Sequence, residues 1–252
     1  MRAPPLRAVL LDMGGVLLAM ANEAGLPRGA DDREGRERLL ALLRARGGRA
    51  AAADLERLLF APWRLEYERR YERQREADWR PHLDRLLASS GARATGDELL
   101  AAWFGPYGAR LQATPGAASV VAELRRRGLP LALVSNVALP GALYRERLAA
   151  HGLLDAFAVT RFSYDAGSRK PSPAMLAEAM AALGVPASAA VMVGDRRSSD
   201  VAAGRAAGTS TIWLRSHHDE GPAADLTIDA LTELPTALER LGAVDAAAGR
   251  RP

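Results

Sequence analysis

VLLDMGGVLL, residues 9–18, sets an apolar run against one carboxylate, a methionine and two glycines before the apolar run resumes. Asp12 therefore stands where a buried segment breaks into Gly14 and Gly15. A carboxylate beside a core costs several kcal/mol unless it shifts its pKa or finds a partner. Hydrogen bonds to the N–H groups of a local turn would account for it without any chemistry. The rest of the chain decides between that reading and a functional one. RAVLLD (7–12) is short, apolar and closed by glycines, as expected of a strand buried on both faces of a parallel sheet.

Downstream the pattern changes period. REGRERLLALLRARGG (33–48), AADLERLLFAPWRLEYERRYERQREADW (52–79) and RPHLDRLLASSG (80–91) place apolar residues three and four apart with charges between them. Thr95 or Asp97 is positioned to cap a further helix, DELLAAWF (97–104). No strand-like alternation interrupts this stretch, so residues 19–112 read as an all-helical insert. After TPG (114–116) the strands return. LPLALVSN (129–136), FAVTR (157–161), AAVMVGD (189–195) and TSTIWLR (209–215) alternate with helical segments, which predicts a parallel α/β sheet covered on both faces. The expected division is a core of 1–18 plus 113–252, with AVDAAAGRRP (243–252) as a frayed tail.

Composition narrows the function classes. No apolar stretch approaches the length of a membrane span, and Asp12 interrupts the first apolar patch too early for a signal peptide. The expected location is the cytoplasm. With no cysteine, thiolate chemistry and cysteine metal sites are excluded. The net charge is +4, but basic residues alternate with acidic ones, as in LEYERRYERQREADWR (65–80). That is a solvated helix face and not a nucleic-acid stripe, so neither nucleic acid nor membrane is an expected partner. Of the 34 basic residues, 33 are arginine and one, Lys170, is lysine. A lone lysine in such a chain marks either a chance survivor or a place where a compact ammonium is needed and a planar guanidinium does not fit.

Ligands of open α/β sheets bind beyond the carboxyl ends of the strands. Those ends carry Asp12, then Ser135 and Asn136, then a loop with Lys170, then Asp195 with Asp200 shortly after. Carboxylates gathered at one rim repel unless a cation sits between them, and oxygen ligands without a histidine cluster favour Mg²⁺. Glycines beside Asp12 let backbone N–H groups approach an anion closely. The set has the size and charge of a phosphoryl site.

The order VLLDMGGVLL, LVSN (133–136), GSRKPSP (167–173) and VMVGDRRSSDVAAGRAAG (191–208) resembles the haloacid dehalogenase-like (HAD) hydrolase superfamily. The resemblance covers the chain apart from its tail and implies a three-layer Rossmann-like core, with the helical insert as a C1-type cap. It implies that Asp12 is the nucleophile and a Mg²⁺ ligand, with the Gly14 carbonyl as a second ligand. Ser135, Asn136 and Gly15 would bind phosphoryl oxygens. Lys170 would neutralise Asp12 and the phosphoryl group, Asp195 would hold Mg²⁺, and Asp200 would support the metal or Lys170. The expected substrate is a small phosphorylated metabolite. One position departs from the pattern: phosphatases of the family usually carry a second aspartate, the general acid and base, where this chain has Gly14.

Other candidates have simpler explanations. His151 fits a helix end, and His217 with His218 fits a solvated loop, although that pair follows a strand at the same rim and could replace the missing acid. Trp63, Tyr67, Tyr71 and Trp79 fit a cap core better than a stacking surface, and Arg64 and Arg70 fit a solvated face. Two alternatives to the phosphatase stay open. One is a metal-independent haloacid dehalogenase; the other is a binding or regulatory protein that has lost its proton transfer. Phosphonate cleavage through a Schiff base is excluded, because the insert contains no lysine.

Overall fold

Successive side chains of a strand point to opposite faces of its sheet, so a strand apolar at every position must be covered twice. The computed structural model, which describes residues 6–21 and 30–248, shows this at β1 (Ala8–Leu11). Val9 and Leu11 join one buried cluster with Leu131, Leu133, Val191 and Val193. Ala8 and Leu10 join a second, with Ala132, Val134, Ala190 and Met192.

The strands following β1 are β2 (Leu18–Met20), β3 (Leu111–Ala113), β4 (Leu131–Ser135), β5 (Phe157–Phe162), β6 (Ala190–Gly194), β7 (Ser210–Leu214) and β8 (Leu226–Ile228). Five of them join β1 in one parallel sheet in the order β5-β4-β1-β6-β7-β8. From β1 the chain builds one wing through β4 and β5, then returns to the other side of β1 for β6, β7 and β8. The order reverses at β1, which is where such sheets open a ligand crevice. Helices Ala117–Arg126 and Gly141–Ala150 cover one face through Val120, Val121, Leu124, Tyr144 and Leu148. Helix Ala174–Leu183 covers the other through Met175, Leu176 and Ala179. This is the three-layer Rossmann-like α/β architecture that the strand–helix alternation predicts.

The insert is not helical throughout. β2 and β3 pair antiparallel, with Leu18 opposite Ala113 and Met20 opposite Leu111, so both ends of the expected all-helical segment lie in a two-stranded ribbon. Three residues are too few to display a period, which is why the ribbon escapes a pattern reading. The long helix expected over 52–79 also ends early. A π-helical turn, Leu55–Phe60, leads into helix Ala61–Tyr71, after which the chain turns through Gln74, the one described non-glycine residue at positive φ (55°). The charge pattern simply continues across this break, with no glycine or proline to mark it. Helix Gly96–Arg110 opens with the capping box of Thr95 and Glu98.

Trp79 is fully buried, stacks on Trp63 at 4.0 Å between ring centroids, and donates its Nε1–H to Ala138 O at 2.7 Å. Trp79 with Trp63, Phe60 and Trp103 thus forms the core of the helical layer and fastens it to the chain leaving β4, whereas Tyr71, expected in that core, is 54% exposed. The edge strand β8 was not expected from LTI, which is again too short to read. Of the tail expected at 243–252, the backbone of 243–248 continues the last helix, Leu234–Ala248, and 249–252 lie outside the described residues. No helix among the described residues is long and apolar enough to cross a membrane.

Candidate active site

β1 delivers Asp12 to the carboxyl edge of the sheet, where its N–H donates to Val193 O at 3.0 Å and extends the pairing with β6. The chain then turns at Gly15, at φ 73°; a Cβ built there would lie 2.4 Å from Asp195 Oδ2. Glycine is required at 15 both for the left-handed backbone and for the approach of Asp195. The N–H of Gly15 donates to Leu18 O at 2.9 Å, so what this residue supplies at the site is space. Gly14 differs: its φ is not positive, and a Cβ there would meet nothing within 4 Å.

Asp195 follows β6 directly, and its backbone oxygen accepts hydrogen bonds from Trp213 Nε1 (2.9 Å) and Ser216 Oγ (2.7 Å). Asp200 lies on the helical turn Arg197–Val201 and is wholly buried. Lys170, 2% exposed, projects its ammonium among three oxygens: Asp12 Oδ1 at 3.1 Å, Asp200 Oδ1 at 2.6 Å and Val134 O at 2.7 Å. Asn136 holds the lysine backbone at both ends, donating Nδ2–H to Lys170 O (2.9 Å) and accepting the Lys170 N–H on Oδ1 (2.8 Å). Its carboxamide is thereby mostly spent on positioning Lys170. Ser135 lines the cleft beside it.

Asp12, Asp195 and Asp200 bring carboxylate oxygens within 4.8 Å of one another, and all three residues are buried. Burial disfavours the Lys170 charge, but the carboxylates of Asp12 and Asp200 outweigh it and hold the ammonium above its ordinary pKa. Burial, reinforced by the charges of Asp12 and Asp200, pushes the Asp195 carboxyl up to about 7. Three carboxylates against one ammonium leave an excess of buried negative charge. Asp195 Oδ1 is, moreover, buried without any hydrogen-bond donor, and Asp12 Oδ1 meets only the Lys170 ammonium at 3.1 Å. An all-oxygen donor set with an orphaned oxygen fits a hard divalent cation. Asp200 fits direct coordination less well, since Lys170 takes Oδ1 and the Arg196 N–H donates to Oδ2 at 2.9 Å.

These groups floor a cleft of about 970 Å³ roofed by residues of the insert, among them Tyr71, Gln74 and Tyr107. His217 and His218 stand at its rim, their rings 3.8 Å apart. His151 caps helix Gly141–Ala150 and bonds Leu111 O at 2.9 Å, and it does not line the cleft. Arg64 pairs with Glu56 and Arg70 with Glu66, so neither joins the site. Sequence reasoning missed Arg169, Gln74 and Arg196, which also line the cleft. Adjacency to Lys170 was the one signal for Arg169.

A family model described as haloacid dehalogenase-like hydrolase matches residues 6–208. The phosphoserine phosphatase of Thermus thermophilus is 38% identical over 152 residues, which are 59% of this chain and 60% of that protein. The match thus spans less than two thirds of that relative's length. A crystal structure of a HAD phosphatase from Thermococcus onnurineus superposes with a TM-score of 0.59 at 25% identity, covering 92% of this chain and 98% of that one. That of a 2-haloacid dehalogenase from Pseudomonas syringae does so at 0.62 and 26%, covering 94% and 99%.

Proposed function

The chain belongs to the haloacid dehalogenase-like hydrolases, and from that premise we propose that it is a Mg²⁺-dependent phosphatase of small phosphorylated metabolites, working through an aspartyl-phosphate on Asp12. The observation that carries this reading is the charge excess at the floor of the cleft: three buried carboxylates, one ammonium, and an Asp195 oxygen with no hydrogen bond. The likeness to a phosphoserine phosphatase points the same way. Asp12, the Gly14 carbonyl and Asp195 would hold Mg²⁺, with Asp200 supporting Lys170. The ion, when bound, draws electron density from the phosphoryl oxygens as a Lewis acid.

The side chains do the rest. A carboxylate oxygen of Asp12 attacks phosphorus and the bond to the leaving oxygen breaks, giving an acyl phosphate; water then cleaves it, releasing phosphate and restoring Asp12. Lys170 offsets the charge that gathers between Asp12 and the phosphoryl group, and the Ser135 hydroxyl donates to a phosphoryl oxygen. With glycine at 14, the departing oxygen takes its proton from water, from the substrate or from the rim histidines. In this reading 1–18 with 113–252 is the catalytic core, 19–112 is a C1-type cap entered through the β2–β3 ribbon, and DMG is a DxG form of the nucleophile motif.

Carbon–halogen hydrolysis is the second reading, favoured by the likeness to the Pseudomonas syringae dehalogenase. It uses the same nucleophile and leaves the carboxylate excess unexplained. One experiment separates them: a panel of phosphomonoesters with and without Mg²⁺, assayed for phosphate, beside 2-chloropropionate assayed for chloride. Phosphate release that needs Mg²⁺ is expected. Chloride release without phosphate release would overturn the reading, as would phosphate release indifferent to EDTA.

A further inference from the structure

The hydrolytic steps leave one wall of the cleft without a task. Next to Lys170, that wall is made by Tyr71, Gln74 and Arg169. The Arg169 guanidinium lies over the Tyr71 ring at 4.3 Å and donates from Nη1 to the Tyr67 hydroxyl at 3.0 Å. Behind it, Glu76 Oε1 is 3.5 Å from the same nitrogen and also accepts the Ser163 Oγ–H at 2.6 Å. A guanidinium carries five N–H donors in a planar fork. Nη1 thus serves both the Tyr67 hydroxyl and the Glu76 carboxylate, and among the described residues Nε and Nη2 make no hydrogen bond. Its side chain is 12% exposed, and the cleft is the space it borders.

Gln74 adds a second donor. It is held at φ 55°, a conformation unfavourable for any residue but glycine and one that recurs at ligand clamps. Its carbonyl accepts the Arg169 N–H at 3.0 Å, which ties the two residues together, and both line the cleft. The backbone of Gln74 is therefore fixed beside Arg169 by a strained turn, and the guanidinium by aromatic stacking, with donors left over on the guanidinium.

We propose that Arg169 and Gln74 form a carboxylate subsite that reads the leaving group, so that the preferred substrates are phosphomonoesters of short hydroxy acids. This rests on the phosphatase reading. A planar fork on a flat aromatic ring matches a planar carboxylate through paired hydrogen bonds, and a single guanidinium charge suits a monoanion better than a second phosphate. Arg169 and Lys170 line the same cleft of about 970 Å³, so a carboxylate on the one and a phosphoryl group beside the other fit within one small molecule, which suits a short acid. Glu72, at the same wall, sets a repulsive limit on longer anions.

The test compares phosphoglycolate with its uncharged carboxamide, and with a bisphosphate of similar length, in the wild type, Arg169→Met, Arg169→Lys and Gln74→Gly. Glycine accepts the backbone at 74, so that variant removes the carboxamide without straining the turn. The wild type should favour the carboxylate in kcat/KM by about tenfold or more, the scale of one charge-assisted hydrogen-bonded pair. Arg169→Met should collapse that ratio towards one, mainly through KM. Arg169→Lys should restore part of it, and Gln74→Gly should lower it severalfold. The same ratio read by calorimetry on Asp12→Asn gives the preference without turnover, so absence of phosphate release would count against the phosphatase reading alone. Equal losses on both substrates in Arg169→Met would make the arginine only a brace for the cap and overturn the proposal. So would a wild type that prefers the bisphosphate, or one that binds carboxylate and carboxamide alike.

Discussion

Gly14→Asp should give the protein a leaving-group acid. A Cβ at 14 would meet nothing within 4 Å, and the backbone there is outside the left-handed region, so the variant should fold. Gly15 offers no such opening, because its φ is 73° and its Cβ position lies 2.4 Å from Asp195 Oδ2. A carboxyl at 14 would sit beside Asp12 and Asp195, whose negative charge raises its pKa and keeps part of it protonated near neutrality. A positioned general acid is worth about 10²–10⁴-fold, or roughly 3–5 kcal/mol of barrier, and the benefit goes to leaving groups that depart poorly as anions. The assay is kcat across aryl and alkyl phosphates, plotted against leaving-group pKa for both proteins. The wild type should show a steep fall; the variant should flatten it, raising alkyl phosphates by about tenfold or more and aryl phosphates little. A flat plot in the wild type would refute the reasoning, because another group would already supply the proton. A folded Gly14→Asp protein with an unchanged slope would refute it equally.

Lys170→Arg should cost about a hundredfold or more in kcat, and should lower Tm as well, because three oxygens at 2.6–3.1 Å enclose the ammonium and leave no room for a guanidinium; a rate near wild type would make the lone lysine an accident of composition. Asp12→Asn should abolish phosphate release while circular dichroism stays native, since an amide does not attack phosphorus; residual turnover at the wild-type rate would remove Asp12 from the reaction. The Asp195 carboxyl, pushed from 3.8 up to about 7, binds its proton more tightly in the folded protein than in the unfolded chain. Its contribution to stability is therefore complete below about pH 4 and is lost as pH rises towards 7, by up to roughly 4 kcal/mol. Mg²⁺ should accordingly raise Tm more at pH 7.5 than at pH 5, and Asp195→Asn should lose that difference; the same pH response in the variant would assign it to other groups.

The parts of the fold that could be read in advance share a physical property. β1, β4 and β6 are buried on both faces along their whole length, so each shows an unbroken apolar run ending abruptly in polar residues. Those endings supplied Asp12, Ser135 and Asp195, and the sheet edge gathered them. β2, β3 and β8 have three residues each and partly exposed faces, so no period could form. The break after Tyr71 is fixed by contacts far away in sequence, such as the Arg169 N–H bonded to Gln74 O, and not by a local stop signal.

Candidate residues divide the same way. Lys170 stood out because lysine is otherwise absent from the chain, and it lies between Asp12 and Asp200, which the strand ends already place at one rim. Arg169 carries the same charge one position earlier and could not stand out among 33 arginines. Its meaning comes from Tyr67, Tyr71 and Glu76, which are about a hundred residues earlier in the chain, where the tyrosines read as cap core and the glutamate as part of a solvated charged helix. Composition exposes a rare residue type, whereas a common one becomes legible only through its partners. A chain that uses arginine nearly everywhere therefore hides the arginine we propose to read an anion while displaying the aspartate proposed as nucleophile and its lysine. The proposed chemical step is accordingly legible in the motifs, whereas the proposed choice of leaving group lies in the packing of the insert against the loop that bears Lys170.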